Sequence, residues 1–107
     1  MKPSEVLREA AKLIQEKGWT QRVYARDDLG RRVHPNDPDA CQFCAAGAIG
    51  RVTTDDSSRV WDHPATKALE SSLSISIPKW NDSPLQHRGE VIAKMLEVAD
   101  RLEAHGE

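Results

Sequence analysis

Cys41 and Cys44 bracket Gln42 and Phe43 in the run Cys41-Gln42-Phe43-Cys44-Ala45-Ala46-Gly47-Ala48-Ile49-Gly50. Such a pair can do three kinds of chemistry or none. A Cys-x-x-Cys unit supplies two of the four ligands of a structural zinc ion, and the remaining two must come from elsewhere. His34, His63 and His87 are the candidates for them, and no second paired knuckle exists. Redox chemistry needs the pair at a helix N-terminus, where the dipole lowers a thiol pKa. The thioredoxin-like strand–helix–strand setting is missing here, because a charged segment precedes the pair and a polar one follows it. A single nucleophile, Cys44 or Cys41, needs a base and an orienting group, which His63 with Asn81 or Asp82 could provide. The non-chemical alternative is that both thiols pack as small hydrophobes on a buried helix. The ligand pattern is incomplete, so no metal and no cofactor is expected. Cys41, Cys44, His34 and His63 are the donors to examine for a metal, and Cys44 is the candidate for catalysis.

These residues depend on the elements around them. Val6, Leu7, Ala10, Leu13 and Ile14 follow helical spacing after Ser4, a capping residue, and Glu5, which suits a first turn. Gly18 then stands where a left-handed C-terminal residue is wanted, with Trp19 folding back on Ile14. Val23–Arg26 and Arg31–His34 flank Asp27-Asp28-Leu29-Gly30, which predicts a hairpin with a bulged loop. Asp37 as cap and Pro38 at the first helical position predict a second helix running to about Val52, with both thiols near its start. Thr53–Ser58 reads as a surface loop. A third helix begins near Asp62 or His63, with Trp61, Ala65, Ala68 and Leu69 turned inward. Ser71–Ile77 alternates polar and apolar residues, as a short strand or extended exit that Pro78 ends. Ser83, Pro84 and Gln86 make a capping box for the longest helix, whose stripe is Val91, Ile92, Met95, Leu96, Ala99 and Leu102. The expected fold is mainly α (α+β): a compact bundle of about four helices with a small β-hairpin between helices one and two, in one domain spanning residues 1–107.

Gly47 and Gly50 each cost a helix about 1 kcal/mol relative to alanine. Close approach of another helix to a thin surface of Ala45, Ala46 and Ala48 is the expected compensation. Trp80, in Ile77-Pro78-Lys79-Trp80-Asn81-Asp82, buries a large area in a core and makes a strong anchor at an interface. Trp80, Asn81 and Asp82, with Tyr24 and Arg26 of the hairpin, are the candidate binding residues.

Composition narrows the function classes. The 15 basic residues nearly balance 17 acidic ones, for a formal charge of −2. A nucleic-acid-binding domain shows a basic excess or stripe, so nucleic acid is not expected as a partner. No apolar run approaches the roughly 20 residues of a membrane span, and the start lacks the apolar core of a signal peptide. Two closely spaced cysteines do not make the disulfide framework of a small secreted protein, which points to a reducing, cytoplasmic setting. No Gly-x-Gly-x-x-Gly or phosphate-loop pattern occurs.

Four pieces taken together resemble one family: Gly18-Trp19-Thr20-Gln21 with Tyr24-Ala25-Arg26-Asp27; Asp37-Pro38-Asp39-Ala40; Phe43-Cys44-Ala45-Ala46-Gly47-Ala48-Ile49; and Ile77-Pro78-Lys79-Trp80-Asn81-Asp82. They are similar to a small bacterial and bacteriophage family of unknown function, common in actinobacteria and their phages. The resemblance spans roughly residues 5 to 100 and implies a compact stand-alone domain, often in phage or mobile-element settings. It carries no catalytic residue with it. Cys44 falls on the family's Cys-Ala-x-Gly pattern, and Cys41 lies outside it. The leading functional expectation is a non-enzymatic protein-binding module, an accessory protein modulating a host protein, with an unidentified protein partner. The alternatives are a small enzyme or redox protein using Cys44 and a zinc-stabilised module using both thiols with histidines.

Overall fold

The computed structural model describes residues 1–55 and 59–107. Helix α1 (Pro3–Glu16) buries Val6, Leu7, Ala10, Ala11 and Ile14. Its cap is Lys2 rather than Ser4: Pro3 takes the first helical position, and the Lys2 amide donates to Glu5 Oε1 at 2.8 Å. Ser4 is buried inside the first turn. Gly18 follows at φ +151°, and a Cβ there would lie 3.1 Å from the Cys41 carbonyl oxygen.

The hairpin is present, in short form. β1 (Ala25–Arg26) pairs antiparallel with β2 (Arg32–Val33), in the register Ala25 to Val33 and Arg26 to Arg32. Asp27 closes the turn: its Oδ1 accepts from the amides of Leu29 and Arg31, and its Oδ2 accepts from Arg31 Nε at 2.8 Å. These bonds hold its carboxyl below the ordinary 3.8. The sheet has a third strand, β3 (Gln42–Phe43), on the other side of β1. Beyond it, the Phe43 amide donates to the Gly18 carbonyl and the Thr20 amide to the Phe43 carbonyl, so residues 18–20 also lie along β3.

That third strand corrects the predicted start of the second helix. Asp37-Pro38 opens a turn, with the Ala40 amide donating to the Asp37 carbonyl and the Asp39 amide to Asp37 Oδ1. Proline after aspartate suits position i+1 of a turn as well as the first turn of a helix. The chain then runs extended through Cys41–Phe43, and α2 (Ala45–Thr53) starts with Cys44 itself as its cap. A 3-10 turn (Val60–Asp62) leads to α3 (Pro64–Ser71), capped by His63, whose Nδ1 accepts from the Ala65 amide. The loop predicted over Thr53–Ser58 lies partly outside the described residues.

Ile77–Asn81 forms a short helix, α4, instead of an extended exit that Pro78 ends. Ser76 caps it through Oγ, and Pro78 sits in its first turn, where a missing amide costs nothing. The last helix, α5 (Arg88–Ala104), begins five residues later than Ser83. The Ser83–Gln86 box closes a turn instead: the Gln86 amide donates to the Ser83 carbonyl, and Gln86 Nε2 to the Trp80 carbonyl. The buried stripe of α5 is Val91, Met95, Val98 and Ala99, with Leu96 39% exposed.

The core lies between α1, α5 and α2, with α1 packed chiefly on α5. Phe43, Leu7, Ile14, Ile49, Leu69, Ile77 and Met95 fill it. The fold is mainly α with a small antiparallel sheet. Among the described residues, no helix is long and apolar enough to cross a membrane.

Candidate functional site

Gly47 is the point from which the site is built. A Cβ on it would fall 1.9 Å from the Tyr24 carbonyl oxygen and 2.8 Å from the Tyr24 carbonyl carbon. The close approach anticipated for this glycine is real, but the approaching element is the backbone at the head of β1, not another helix. The Cys44 amide donates to the same Tyr24 carbonyl at 3.1 Å. Hairpin and helix start are thereby fixed together. Gly50 is different, since a Cβ there would meet only ordinary contacts, 3.4 Å from the Asp55 carbonyl oxygen.

A cavity of about 560 Å³ opens beside this junction. The hairpin contributes Tyr24, Val33 and His34, α2 contributes Cys44 and Ala46, and α4 with its exit contributes Ile77, Pro78, Asn81 and Asp82. Trp61 closes another side, and its Nε1 donates to the Tyr24 hydroxyl at 3.1 Å. The register of β1 with β2, continued one residue, sets Tyr24 opposite His34. Arg22 and Arg32 complete the lining with their charged side chains.

Asn81 is the polar centre of the wall, almost completely buried at 1% exposure. Its Oδ1 accepts from Trp19 Nε1 and from the Ala45 amide, both at 3.0 Å. Its Nδ2 donates to the Thr20 carbonyl and to Asp82 Oδ1. All four hydrogen-bonding positions of this amide are therefore filled. One side chain thus ties the residue 19–20 segment, the first turn of α2 and the end of α4 together. Asp82 Oδ1 also accepts from the Arg22 amide at 2.8 Å. Arg22 has φ +73°, a left-handed conformation uncommon for a residue with a side chain. Gln21 Nε2 adds bonds to the carbonyls of Asn81 and Ser83.

Cys44 lines the cavity half-buried, its Sγ accepting from the Gly47 amide at 3.3 Å. Burial pushes its thiol from the ordinary 9.0 up to about 11. The Gly47 amide opposes that rise, and the Asp82 carboxylate adds to it. A helix-terminal thiol is usually activated. Here desolvation outweighs the helix end.

The remaining predicted residues fall in several places. Arg26 donates to Thr20 Oγ1 and to the Gly30 carbonyl, bracing the hairpin loop. Trp80 is half-buried outside this cavity, in a shallow groove with Leu73, Ile75 and Lys94. Cys41 donates its amide to the Arg26 carbonyl and does not line the cavity. His63 caps α3, also away from the cavity, and His87 precedes α5 with its Nε2 3.5 Å from Glu90. Both thiols are free. Among the described residues, no three His, Cys, Asp or Glu side chains gather closely enough to hold a metal ion. The structure thus brings together Tyr24, Cys44, Asn81, Asp82 and His34. Arg32, which the sequence offers only as part of a charged hairpin, and Arg22, which the sequence reading did not single out, join them. The one sequence signal for Arg32 is its two-residue spacing from His34, which puts both on one face of a strand.

The chain matches a family of unknown function, DUF6197, over residues 1–101, and it belongs to that family. No curated protein and no solved structure matches it significantly.

Proposed function

We propose that this protein is a non-enzymatic binding module, and that the cavity between the hairpin, α2 and α4 receives an apolar side chain of a partner protein. The observation that carries the reading is the division of labour in the cavity wall. Its apolar surface comes from Tyr24, Trp61, Val33, Pro35, Ile77 and Pro78, while its buried polar group, Asn81, is fully engaged in holding the wall together. A cavity of about 560 Å³ is in the range of small recognition pockets, and aromatic walls are the common lining of such sites. An accessory role modulating a host protein, in a phage or mobile-element setting, is the context in which we place it.

The chemistry of Cys44 supports binding over catalysis. With the thiol pushed up to about 11, only on the order of one molecule in ten thousand carries a thiolate at pH 7. The nearby carboxylate of Asp82 works against thiolate formation instead of for it.

The test is comparative affinity capture from the native host. Val23 lines the cavity from an irregular, half-buried segment, so Val23→Trp fills the cavity without entering the core. A partner retained by wild type and by Cys44→Ala, but lost by folded Val23→Trp, is the expected result. A substrate turned over by wild type and no longer turned over by folded Cys44→Ala would overturn the reading.

A further inference from the structure

We propose that the partner segment filling this cavity is acidic: an apolar side chain enters between Tyr24, Trp61 and Pro78, and an adjoining carboxylate is held by Arg22 and Arg32. This rests on the protein-binding reading above and adds the charge of the occupant. Both arginines line the cavity with exposed side chains. Among the described residues, neither guanidinium makes a hydrogen bond or ion pair. Arg8, Arg26, Arg31, Arg51 and Arg101 are engaged by carboxylates or carbonyls, and exposed Arg88, at the start of α5, is a further arginine with no such partner among the described residues. The two arginines of the hairpin region thus stand at the cavity walled by Tyr24 and Trp61.

The backbone of Arg22 argues for placement by design of the fold. Its left-handed φ of +73° is sparsely populated for a non-glycine residue, and such conformations persist where surrounding contacts enforce them. The enforcing contact is the Arg22 amide donating to Asp82 Oδ1. Among the described residues, Asp82 is the only carboxylate lining the cavity; that oxygen also takes the Asn81 amide, and Asp82 forms no ion pair with either guanidinium. His34 Nδ1 accepts from the Asn36 amide, which leaves the ring proton on Nε2 and makes the imidazole a further donor at the wall. Two guanidinium forks and an imidazole N–H beside an apolar cavity match a carboxylate attached to an apolar group. The whole chain carries a net charge of −2, so this preference is local to the cavity and not a property of the surface at large.

The experiment is amide-resolved NMR titration of the isotope-labelled full chain with short peptide pools, each centred on leucine or phenylalanine. The flanking residues are acidic in one pool, uncharged in a second and basic in a third. A small aromatic carboxylate, phenylpropionate, is titrated separately. The expected result is shifts at Arg22, Tyr24, Trp61 and His34, with the acidic pool binding about tenfold more tightly than the uncharged one, the gain typical of hydrogen bonds between charged groups. The double variant R22Q/R32Q keeps the Arg22 amide bond and should lose the preference while retaining binding of the uncharged pool. Equal binding of all pools, or preference for the basic pool, overturns the acidic occupant and leaves the protein-binding reading standing. Binding of phenylpropionate with no peptide pool bound, or no binding at all, overturns both.

Discussion

Replacing Gly47 by alanine tests the junction on which the cavity depends. The new Cβ would sit 1.9 Å from the Tyr24 carbonyl oxygen, 2.8 Å from its carbon and 3.2 Å from its Cα. Non-bonded carbons do not tolerate the first two distances, and the obstacle is backbone, which cannot rotate aside as a side chain would. The head of β1 must therefore retreat from α2 by at least about an ångström, an overpacking cost of about 1–3 kcal/mol. The retreat also weakens the bond from the Cys44 amide to the Tyr24 carbonyl, a further ~1 kcal/mol. Alanine's better helix propensity returns about 1 kcal/mol. The net expectation is a destabilisation of about 1–3 kcal/mol, equivalent to a fall in Tm of roughly 5–20 °C for a domain of this size. Gly50→Ala is the internal control: it meets only ordinary contacts and gains the same propensity, so it should be neutral or stabilising by up to about 1 kcal/mol. Urea denaturation of both variants, with unchanged m-values, measures the difference. Equal stability of the two would refute the claim that hairpin backbone lies directly on the α2 surface.

Other consequences follow from the same geometry. Asn81→Ala should destabilise by about 2–5 kcal/mol, because Trp19 Nε1, the Ala45 amide and the Thr20 carbonyl lose their partner together; chemical denaturation reads the loss. Thr66 is buried and its hydroxyl has no hydrogen-bond partner among the described residues, so Thr66→Val should stabilise by about 1 kcal/mol in a thermal melt. Alkylation of Cys44 in the folded protein at pH 7 should be about a hundredfold slower than that of a thiol with the ordinary value, with mass spectrometry locating the label. The same raised pKa has a definite sign for stability. The native state holds this proton more tightly, so its contribution is complete below about pH 9 and is lost as pH climbs through about 11. Cys44→Ala should remove that segment of the stability–pH curve. Asp27 has the opposite sense: its depressed carboxyl contributes above 3.8, and that contribution disappears as pH falls through its native value, so Asp27→Asn should flatten the acid limb of an unfolding curve.

Where periodicity was long, the sequence was a reliable guide. Of the apolar positions read on α1, Val6, Leu7, Ala10 and Ile14 are buried and Leu13 is half-buried, and His63-Pro64 does open α3. Short signals were ambiguous for a physical reason. Asp37-Pro38 and Ser83-Pro84 satisfy turns with the same side-chain oxygen and the same fixed proline φ that would start a helix. The chain used both for turns and placed its helix start at Ser76-Ile77-Pro78, where the apolar run was too short to show a period. On α5 the buried stripe includes Val98, which the helical spacing did not pick out; α5 packs on α1, and one helix alone cannot reveal which side its neighbour covers. Gly47 announced a close approach, and only the three-dimensional structure names Tyr24 as the group that approaches. The cavity was the least legible part. It joins residues 22–24, 32–35, 44, 46, 61, 77–78 and 81–82, so its existence depends on long-range packing that no local pattern contains.

Docking of a partner protein in this cavity puts that partner within reach of the cavity wall. A compact aliphatic diazirine amino acid, close to valine in size and so leaving the cavity open, placed at Val23 on the cavity wall and separately at Leu96 on the exposed face of α5, tests it directly in the native host. One specific crosslinked protein is expected from position 23, diminished by R22Q/R32Q and absent from position 96. The same protein crosslinked equally from both positions, or none from position 23, would contradict it.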